Sequence, residues 1–230
     1  DNDISIILLI NAVHPDDKGN TVRLRSCVSN AVAAAVMPEN YACKPKHPSR
    51  YYDKKNELMQ QSATTPQDII FLGDSHIEFG GDWASRLGNP HIRNFGIAGD
   101  DAEGIYDRLF PILQGRPDKI LLLAGINDIS RNLTSDEILQ RIRRIIEAIK
   151  EKSPETKLYL QSLLPVNESF GRWKLLNGKT EQIVELNDKL RRLAQKEHIT
   201  YVDAFSRFCG KGTHILSARL STDGLHLNKN

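Results

Sequence analysis

The sequence predicts an α/β protein with a central parallel sheet that carries helices on both faces. Two observations lead to this fold class. From about residue 51 onward, short apolar runs alternate with longer amphipathic segments, which is the pattern of repeated βαβ units. In addition, the run "KILLLAGIND" is almost continuously apolar before its last polar residues, as expected of a central strand covered on both faces.

Five segments are predicted as strands. In chain order they are "DIIFLGDS", "HIRNFGIAG", "KILLLAGIND", "KLYLQSLLPV" and "ITYVDA". The polar motifs "GDS", "GIAGD" and "GIND" fall at the ends of the first three. In a parallel sheet of this kind, reactive groups collect where the strands end at their carboxyl edge. We therefore expect the three motifs to share one edge of the sheet.

Helices are predicted between the strands. Capping-box spacing marks two helix starts, at Asp100 with Glu103 and at Thr134 with Glu137. Pro111 falls late in the first of these helices and is expected to break or kink it. The second has an apolar face formed by Ile138, Leu139, Ile142, Ile145, Ile146 and Ile149. A later helix has the same pattern at Ile183, Leu186, Leu190 and Leu193.

Residues 1–50 lack this alternation. We predict that they form an N-terminal extension, or part of a neighbouring domain, before a domain at 51–230. Their apolar run at 4–13 is too short to span a bilayer and follows acidic residues, so it is predicted as a strand and not as a signal peptide. Because the sequence begins at Asp, we expect a processed or trimmed chain and slightly favour a periplasmic or secreted location. The sequence predicts no oligomeric state.

The composition is that of an ordinary globular protein. Of its 230 residues, 40% are hydrophobic and 26% are charged, and the formal net charge is +2. This balance, without a basic patch, argues against nucleic acid or a membrane surface as a partner. Cys27, Cys43 and Cys209 form no C-x-x-C pair, which argues against zinc. A Cys27–Cys43 disulfide and free buried thiols both remain compatible with the sequence.

Ser75, in "FLGDSHIEFG", is a candidate nucleophile at the end of the first predicted strand. Gly73 would allow the sharp turn that exposes its hydroxyl. Taken alone, however, Ser75 is better interpreted as a helix N-cap. Acyl transfer by a serine also requires a base, a group that orients the base, and hydrogen-bond donors for the oxyanion.

The candidate base and its partner lie in "DGLHLN" near the end of the sequence. Asp223 and His226 are three residues apart, so their side chains can meet on one helical turn or in a tight loop. The carboxylate would then fix the tautomer of His226 and stabilise its imidazolium. A solvated surface turn explains this pair equally well. His76 is predicted to line the pocket and not to act as the base, because neighbouring side chains on a turn usually point apart.

Gly96 in "NFGIAGD" and Asn127 in "GIND" are the candidate oxyanion donors. Gly96 offers a backbone N–H that no Cβ shields, and Asn127 offers a side-chain amide at the end of a central strand. Glycine and Asn-Asp are also common in turns, so neither residue is decisive alone. Four such motifs in this order, at predicted strand ends and in a terminal loop, together favour a serine hydrolase site.

These four motifs, spread over residues 69–228, resemble the four sequence blocks of the SGNH (GDSL-type) hydrolases. The resemblance implies a flavodoxin-like three-layer α/β/α sandwich and a serine esterase or lipase that needs no metal or organic cofactor. It also implies site roles: Ser75 as nucleophile, His226 as base, Asp223 as its partner, and the Ser75 amide, the Gly96 amide and Asn127 as oxyanion donors.

One position departs from the family. His76 stands where an aliphatic residue is more common, which leaves the polarity of the pocket open. The segments "YYDKKNELMQQ" and "FGRWK" resemble a bacterial branch of acetylhydrolases and lysophospholipase-like esterases. The loop "VNESFGRWKLLNGKTEQ" carries Arg172 and Trp173, which with His76 are the predicted substrate contacts. The same loop can instead be a surface segment pinned by one buried aromatic ring.

The substrate expected from these features is a small-molecule or glycan ester. Because no hydrophobic lid helix is long enough to shelter a long acyl chain, we expect a small acyl group, namely acetyl on a carbohydrate. A lysophospholipase or thioesterase, and a catalytically silent glycan-binding module with the same fold, are the alternatives. An α/β-hydrolase is disfavoured because Ile77 stands where G-x-S-x-G requires glycine.

Overall fold

The computed structural model describes residues 50–61 and 63–228. Backbone contacts group these described residues into one compact unit. Except for Arg50, the predicted N-terminal extension, with its strand at 4–13 and its two cysteines, lies outside the described residues. None of the described helices is both long and apolar enough to cross a membrane.

A five-stranded sheet with only parallel pairings forms the centre of this unit. The strands are β1 (Ile69–Gly73), β2 (Ile92–Gly96), β3 (Lys119–Leu123), β4 (Lys157–Gln161) and β5 (Thr200–Val202). The spatial order is β2-β1-β3-β4-β5. All five predicted strands are therefore confirmed. The order reverses direction between β1 and β3, which is where proteins with this topology bind ligands.

Helices flank the sheet and complete the three-layer α/β/α sandwich that the resemblance implied. They are α1 (Arg50–Gln60), α2 (Ser75–Glu78), α3 (Trp83–Leu87), α4 (Ala102–Asp107), α5 (Leu109–Gln114), α6 (Ile126–Ser130), α7 (Ser135–Lys152), α8 (Thr180–Lys196) and α9 (Phe205–Phe208). In the described part of the chain, short 3₁₀ helices lie at Glu168–Phe170, Lys174–Leu176 and Ala218–Leu220.

The core lies between the sheet and the apolar faces of α7 and α8. The predicted apolar faces of α7 and α8 are confirmed. Every residue predicted for them is buried except Leu139, which is half-buried. They pack in one cluster with β-strand residues such as Ile70, Leu72, Ile120 and Leu122, each fully buried. Burial of a side chain of this size contributes about 1.5–3 kcal/mol, so these faces fix both helices on the sheet.

The segment after β2 differs from the prediction in two details. The N-cap of α4 is Asp101, whose carboxylate accepts from the Gly104 amide at 2.9 Å, whereas Asp100 forms a buried ion pair with Arg108. The helix is interrupted at Arg108, upstream of Pro111. Because a proline ring clashes with the carbonyl four residues earlier, Pro111 is tolerated in the first turn of the new helix α5 and the break moves ahead of it.

The capping box predicted at Thr134 is confirmed. The Thr134 hydroxyl accepts from the Glu137 amide, and the Glu137 carboxylate accepts from the Thr134 amide at 2.8 Å. This cap begins α7 a few residues after the short helix α6, which carries Asn127, so it fixes the far end of the connection between β3 and α7.

Candidate active site

Three strand ends meet at the carboxyl edge of the sheet. Gly73 at the end of β1 is in register with Gly96 of β2 on one side and with Leu123 of β3 on the other. The motifs "GDS", "GIAGD" and "GIND" therefore emerge next to one another, with the serine loop in the middle. The predicted common edge is confirmed by this register.

The turn after β1 presents Ser75. Asp74 is the N-cap of α2, and its Oδ1 accepts from the His76 amide at 2.9 Å. Ser75 is thus the first helical residue, and its hydroxyl is not used for capping. The N-cap interpretation of this serine is wrong, because Asp74 occupies that role. Its Oγ instead lies 2.9 Å from Nε2 of His226.

Glycines at the strand ends allow the backbones to approach closely. A Cβ on Gly73 would lie 2.5 Å from the Leu123 carbonyl oxygen and 2.8 Å from Cγ1 of Ile77. A Cβ on Gly96 would overlap the backbone nitrogen of Glu78 and lie 2.8 Å from the Asp74 carbonyl oxygen. Both glycines are therefore required by packing beneath α2 and not by an unusual backbone angle.

Asp223 and His226 form the second half of the site. Nδ1 of His226 lies 2.7 Å from Oδ2 of Asp223, while Oδ1 of Asp223 accepts from the amides of Leu225 and His226 at 2.9 and 2.8 Å. Burial raises the pKa of Asp223, but these hydrogen bonds, led by the one from His226, outweigh it and lower the pKa. The carboxylate is therefore ionised at neutral pH and favours the tautomer of His226 that leaves an Nε2 lone pair facing Ser75.

The loop that carries Asp223 and His226 contains no strand or helix, and hydrogen bonds determine its shape. We call residues 221–228 the triad loop. The Ser221 hydroxyl donates to the His226 carbonyl at 2.7 Å and accepts from the Gly224 amide at 2.9 Å. The Gly224 carbonyl accepts from the Asn167 amide at 2.7 Å, and Gly224 has a φ of 84°, where a side chain would be strained.

Gly96 does not present a free donor. Its N–H donates to Oδ1 of Asn94 at 2.9 Å, and the Asn94 amide donates in turn to the carbonyls of Ile77 and Gly81. The prediction of Gly96 as an oxyanion donor is therefore corrected: its amide is bound within the protein, and Gly96 packs under residues 74–78, which carry Ser75 and which we call the nucleophile turn.

The loop that follows Gly96 contains Gly99, a further candidate donor that the sequence reasoning missed. Gly99 is exposed with a φ of 80°, and its carbonyl accepts from Arg131 at 2.8 Å. Among the residues that the structure describes, its N–H has no acceptor. The second glycine of "GIAGD" was the available signal. The adjacent Ala98 amide is excluded as a donor because it donates to Glu78 at 2.6 Å.

Asn127 and the Ser75 amide supply further donors. Asn127 lies at the start of α6, and one of its Nδ2 hydrogens is donated to the Asp100 carbonyl at 2.8 Å, which orients the side chain and leaves the other hydrogen available. The Ser75 amide, at the first position of α2, has no partner within its own helix. Both predicted residues stay compatible with an oxyanion hole.

Asp128 anchors α6, the short helix that also carries Asn127. It is fully buried, and it accepts from the Ala102 amide at 3.0 Å and from Arg141 at 3.1 Å. Burial raises its pKa to about 6 in spite of these donors. Through Ala102, this carboxylate ties the loop after β3 to the loop after β2.

Aromatic rings surround His226 on its exposed side. The ring of Phe79 lies 4.9 Å from the His226 ring, and that of Trp173 lies 5.3 Å away in an edge arrangement. Phe79 is 54% exposed and Trp173 is 43% exposed, so both are available to a substrate. Phe79 was missed by the sequence reasoning, although it follows Ser75 by one helical turn. Trp83, by contrast, packs on Phe71 and donates to the Ile77 carbonyl.

Two other predicted substrate contacts differ from Trp173. Arg172 is exposed, and among the described residues it has no hydrogen-bond or ion-pair partner. His76 does not line an open pocket: its side chain is only 5% exposed, with Nδ1 3.0 Å from Asp74 and Nε2 3.1 Å from the Leu225 carbonyl oxygen. The prediction of a substrate-facing His76 is corrected, because the first turn of α2 directs the ring inward under the triad loop.

Comparison with known proteins agrees with this geometry. Residues 71–230 match the family model of the GDSL-like lipase/acylhydrolase family. The chain belongs to this family. It is 24% identical, over 143 residues, to the human platelet-activating factor acetylhydrolase IB subunit alpha2, covering 60% of this chain and 62% of that protein. The GDSL-like chain thus spans less than two thirds of the length of that relative.

Solved structures share the GDSL-like fold. A protein from Streptococcus pneumonia, provisionally described as a platelet activating factor, is 26% identical with a TM-score of 0.69, over 91% of this chain and 92% of that one. An acetylxylan esterase from Geobacillus stearothermophilus is 17% identical with a TM-score of 0.57, over 72% of this chain and 88% of that one. The second likeness shows a common fold alone.

Proposed function

We propose that the protein is a serine esterase that hydrolyses esters with a small acyl group, in particular acetyl esters of carbohydrates. The observation that carries this proposal is the continuous series of hydrogen bonds from Ser75 through His226 to Asp223, with heavy-atom distances of 2.9 and 2.7 Å. A nucleophile, a base and an orienting acid in contact are what acyl transfer by a serine requires.

In the acylation step, Nε2 of His226 takes the proton of the Ser75 hydroxyl while Oγ forms a bond to the ester carbonyl carbon. The π electrons of that carbonyl move to its oxygen. Asp223 stabilises the imidazolium that forms, because its ionised carboxylate accepts from Nδ1. The tetrahedral intermediate then collapses, the bond to the alcohol oxygen breaks, and Nε2 returns the proton to this leaving group.

In the deacylation step, water replaces the alcohol. Nε2 of His226 takes one proton from the water, whose oxygen bonds to the acyl carbon, and the Ser75 oxygen leaves and recovers that proton. The products are a carboxylic acid and the free serine enzyme. Each tetrahedral oxyanion would accept from the amides of Ser75 and Gly99 and from Asn127. Loss of one such donor typically costs about 3–4 kcal/mol of barrier.

The surroundings of His226 support a small acyl group and a sugar. The exposed rings of Phe79 and Trp173 form flat apolar faces on which a sugar ring can stack. The segment between β4 and α8 contains 3₁₀ helices of three residues each, Glu168–Phe170 and Lys174–Leu176, where a lipase lid would need a longer apolar helix. The names of the human relative and of the Geobacillus neighbour both refer to acetyl groups.

The test is a series of p-nitrophenyl esters from acetyl to decanoyl, with acetate release from acetylated and chemically deacetylated xylan measured beside it. We expect kcat/KM to be highest for acetyl, acetate to be released from the acetylated polymer alone, and Ser75→Ala to abolish both. Turnover that rises steadily to decanoyl would contradict the small-acyl proposal and favour a lysophospholipase-type enzyme. Binding of xylan without any turnover of esters would favour the silent glycan-binding module.

A further inference from the structure

His76 is a buried histidine whose two ring nitrogens both face acceptors. Nδ1 lies 3.0 Å from Oδ1 of Asp74, and Nε2 lies 3.1 Å from the carbonyl oxygen of Leu225. Asp74 is completely buried, and the side chain of His76 is 5% exposed. The ring therefore bridges the nucleophile turn and the triad loop in a place that excludes most solvent.

The acceptors determine which ring nitrogens of His76 carry hydrogens. A backbone carbonyl can only accept, so Nε2 of His76 must carry a hydrogen. Oδ1 of Asp74 accepts from the His76 amide as well as facing Nδ1, and Oδ2 has no hydrogen-bond partner among the described residues. A positive ring beside this buried carboxylate compensates a charge that would otherwise be buried with few donors.

The position of the Leu225 carbonyl shows what its contact with His76 can do. Leu225 lies between Asp223 and His226, and its peptide leads directly into the base. The contact to His76 fixes that peptide against α2 by a bond that is independent of the Ser75 hydroxyl. The ring of His76 also lies 5.5 Å from that of His226, between centroids.

We propose that His76 is a positioning residue: as an imidazolium it donates to Asp74 and to the Leu225 carbonyl and so holds the triad loop at the nucleophile turn. The proposal rests on the proposed esterase function, because it assigns His76 a role in aligning His226 with Ser75. His76 itself touches neither the substrate nor the reacting atoms. An aliphatic residue at this position would leave the Leu225 carbonyl without this donor.

The titratable groups that face His76 favour its charged form. Burial lowers its pKa, but Asp74, the Leu225 carbonyl and the more distant Asp223 outweigh burial and raise the pKa above the ordinary histidine value. His226 is the other titratable group beside it. A histidine whose pKa is raised by folding stabilises the fold fully below about pH 6.5, and that contribution is lost as the pH rises through the folded pKa.

The first experiment uses the unchanged protein. Histidine-selective ¹⁵N labelling and NMR at pH 7 would give the protonation of both His76 ring nitrogens, with His76→Gln to assign the signals. We expect both nitrogens of the His76 ring to carry hydrogens. A neutral His76 ring with a hydrogen at Nε2 only would overturn the imidazolium.

The second experiment separates positioning from folding. We expect His76→Leu to lower kcat about 10- to 100-fold with little change in KM, since small displacements of catalytic groups have effects of this size. His76→Gln keeps a donor for the Leu225 carbonyl and should recover part of the loss. The stability difference between wild type and His76→Gln should shrink as the pH rises through the folded pKa. The matched control is His91→Gln, at an exposed position before β2.

The outcomes distinguish the two proposals. If wild type hydrolyses esters and His76→Leu, folded by circular dichroism, is as active as His91→Gln, the positioning role is refuted while the esterase stands. If wild type hydrolyses none of the esters, the proposed function fails, and the positioning role fails with it whatever the ring nitrogens carry. If His76→Leu does not fold, the kcat of His76→Gln decides: a value equal to wild type at pH 6 and at pH 9 would refute the role.

Discussion

The two halves of the candidate active site are built in different ways. The nucleophile turn follows β1, the second strand in spatial order, and its position is fixed by the register of Gly73 with Gly96 and Leu123 and by close backbone packing. The triad loop has no strand or helix of its own and depends on individual hydrogen bonds, above all those of Ser221 and Asp223. The fold therefore places the nucleophile turn, whereas a few polar contacts place the triad loop.

This difference predicts different responses to mutation. Damage to the nucleophile turn should disturb the sheet and therefore the stability of the whole unit. Damage to the triad loop should affect activity more than stability, because few core residues depend on it.

Asp223→Asn should give the largest loss. Asparagine at this position can hold the wrong tautomer of His226 and cannot stabilise its imidazolium, so we expect kcat to fall by about 10⁴-fold with a small change in melting temperature. Steady-state hydrolysis of p-nitrophenyl acetate measures the loss, with Asp53→Asn on α1 as an exposed control. Activity within tenfold of wild type would mean that Asp223 does not orient the base.

Gly96→Ala should destabilise the fold. The added Cβ would overlap backbone atoms of α2 that cannot rotate away. We therefore expect the free energy of unfolding to fall by at least about 1–3 kcal/mol. Urea denaturation measures it. The control is Gly210→Ala, where the nearest atom is the Thr213 hydroxyl at 3.1 Å, the end of a side chain that can move. Equal losses in both variants would refute the packing role of Gly96.

Ser221→Ala should act mainly on the triad loop. It removes the hydroxyl that donates to the His226 carbonyl and accepts from the Gly224 amide, and the buried groups left unpaired cost about 1–3 kcal/mol locally. We expect roughly a 10-fold fall in kcat and a faster hydrogen exchange of the Gly224 amide. Ser206→Ala, at an exposed hydroxyl on α9, serves as the control. An unchanged exchange rate at Gly224 would contradict this account of the loop.

Trp173→Ala should have the smallest effect. The ring covers the exposed side of His226 without a hydrogen bond to the triad, so we expect KM for an acetylated oligosaccharide to rise several-fold while kcat changes little. Leu175→Ala, also exposed but not in contact with the His226 ring, is the control. A fall in kcat with an unchanged KM would assign Trp173 to alignment of the base and not to substrate binding.

The same contrast explains what the sequence could predict. The five strands and the apolar faces of α7 and α8 followed from hydrophobic periodicity, because their positions are set by burial against the sheet. The common edge of the "GDS" and "GIND" motifs followed from parallel topology. The pairing of Asp223 with His226 followed from their spacing, although the sequence could not distinguish a helical turn from the loop that is observed.

The errors concern the direction of individual polar groups. Gly96 at the end of β2 and Gly99 in the loop that follows are three residues apart, and only the path of the backbone shows that the first amide is bound to Asn94 while the second is open. Asp100 and Asp101 are both good caps, and the buried Arg108 decides between them. Moving one residue along the chain changes the direction in which an amide or carboxylate points. Hydrophobic periodicity does not predict that direction.

The most direct test of the central claim is intact-mass analysis after labelling with a fluorophosphonate, which reacts with activated serines. If His226 and Asp223 activate Ser75, the wild type should gain one adduct, located at Ser75 by peptide mapping. Ser75→Ala should gain none, and Asp223→Asn should react far more slowly. No adduct on the wild type, or an adduct that persists in Ser75→Ala, would contradict the assignment of Ser75 as the nucleophile.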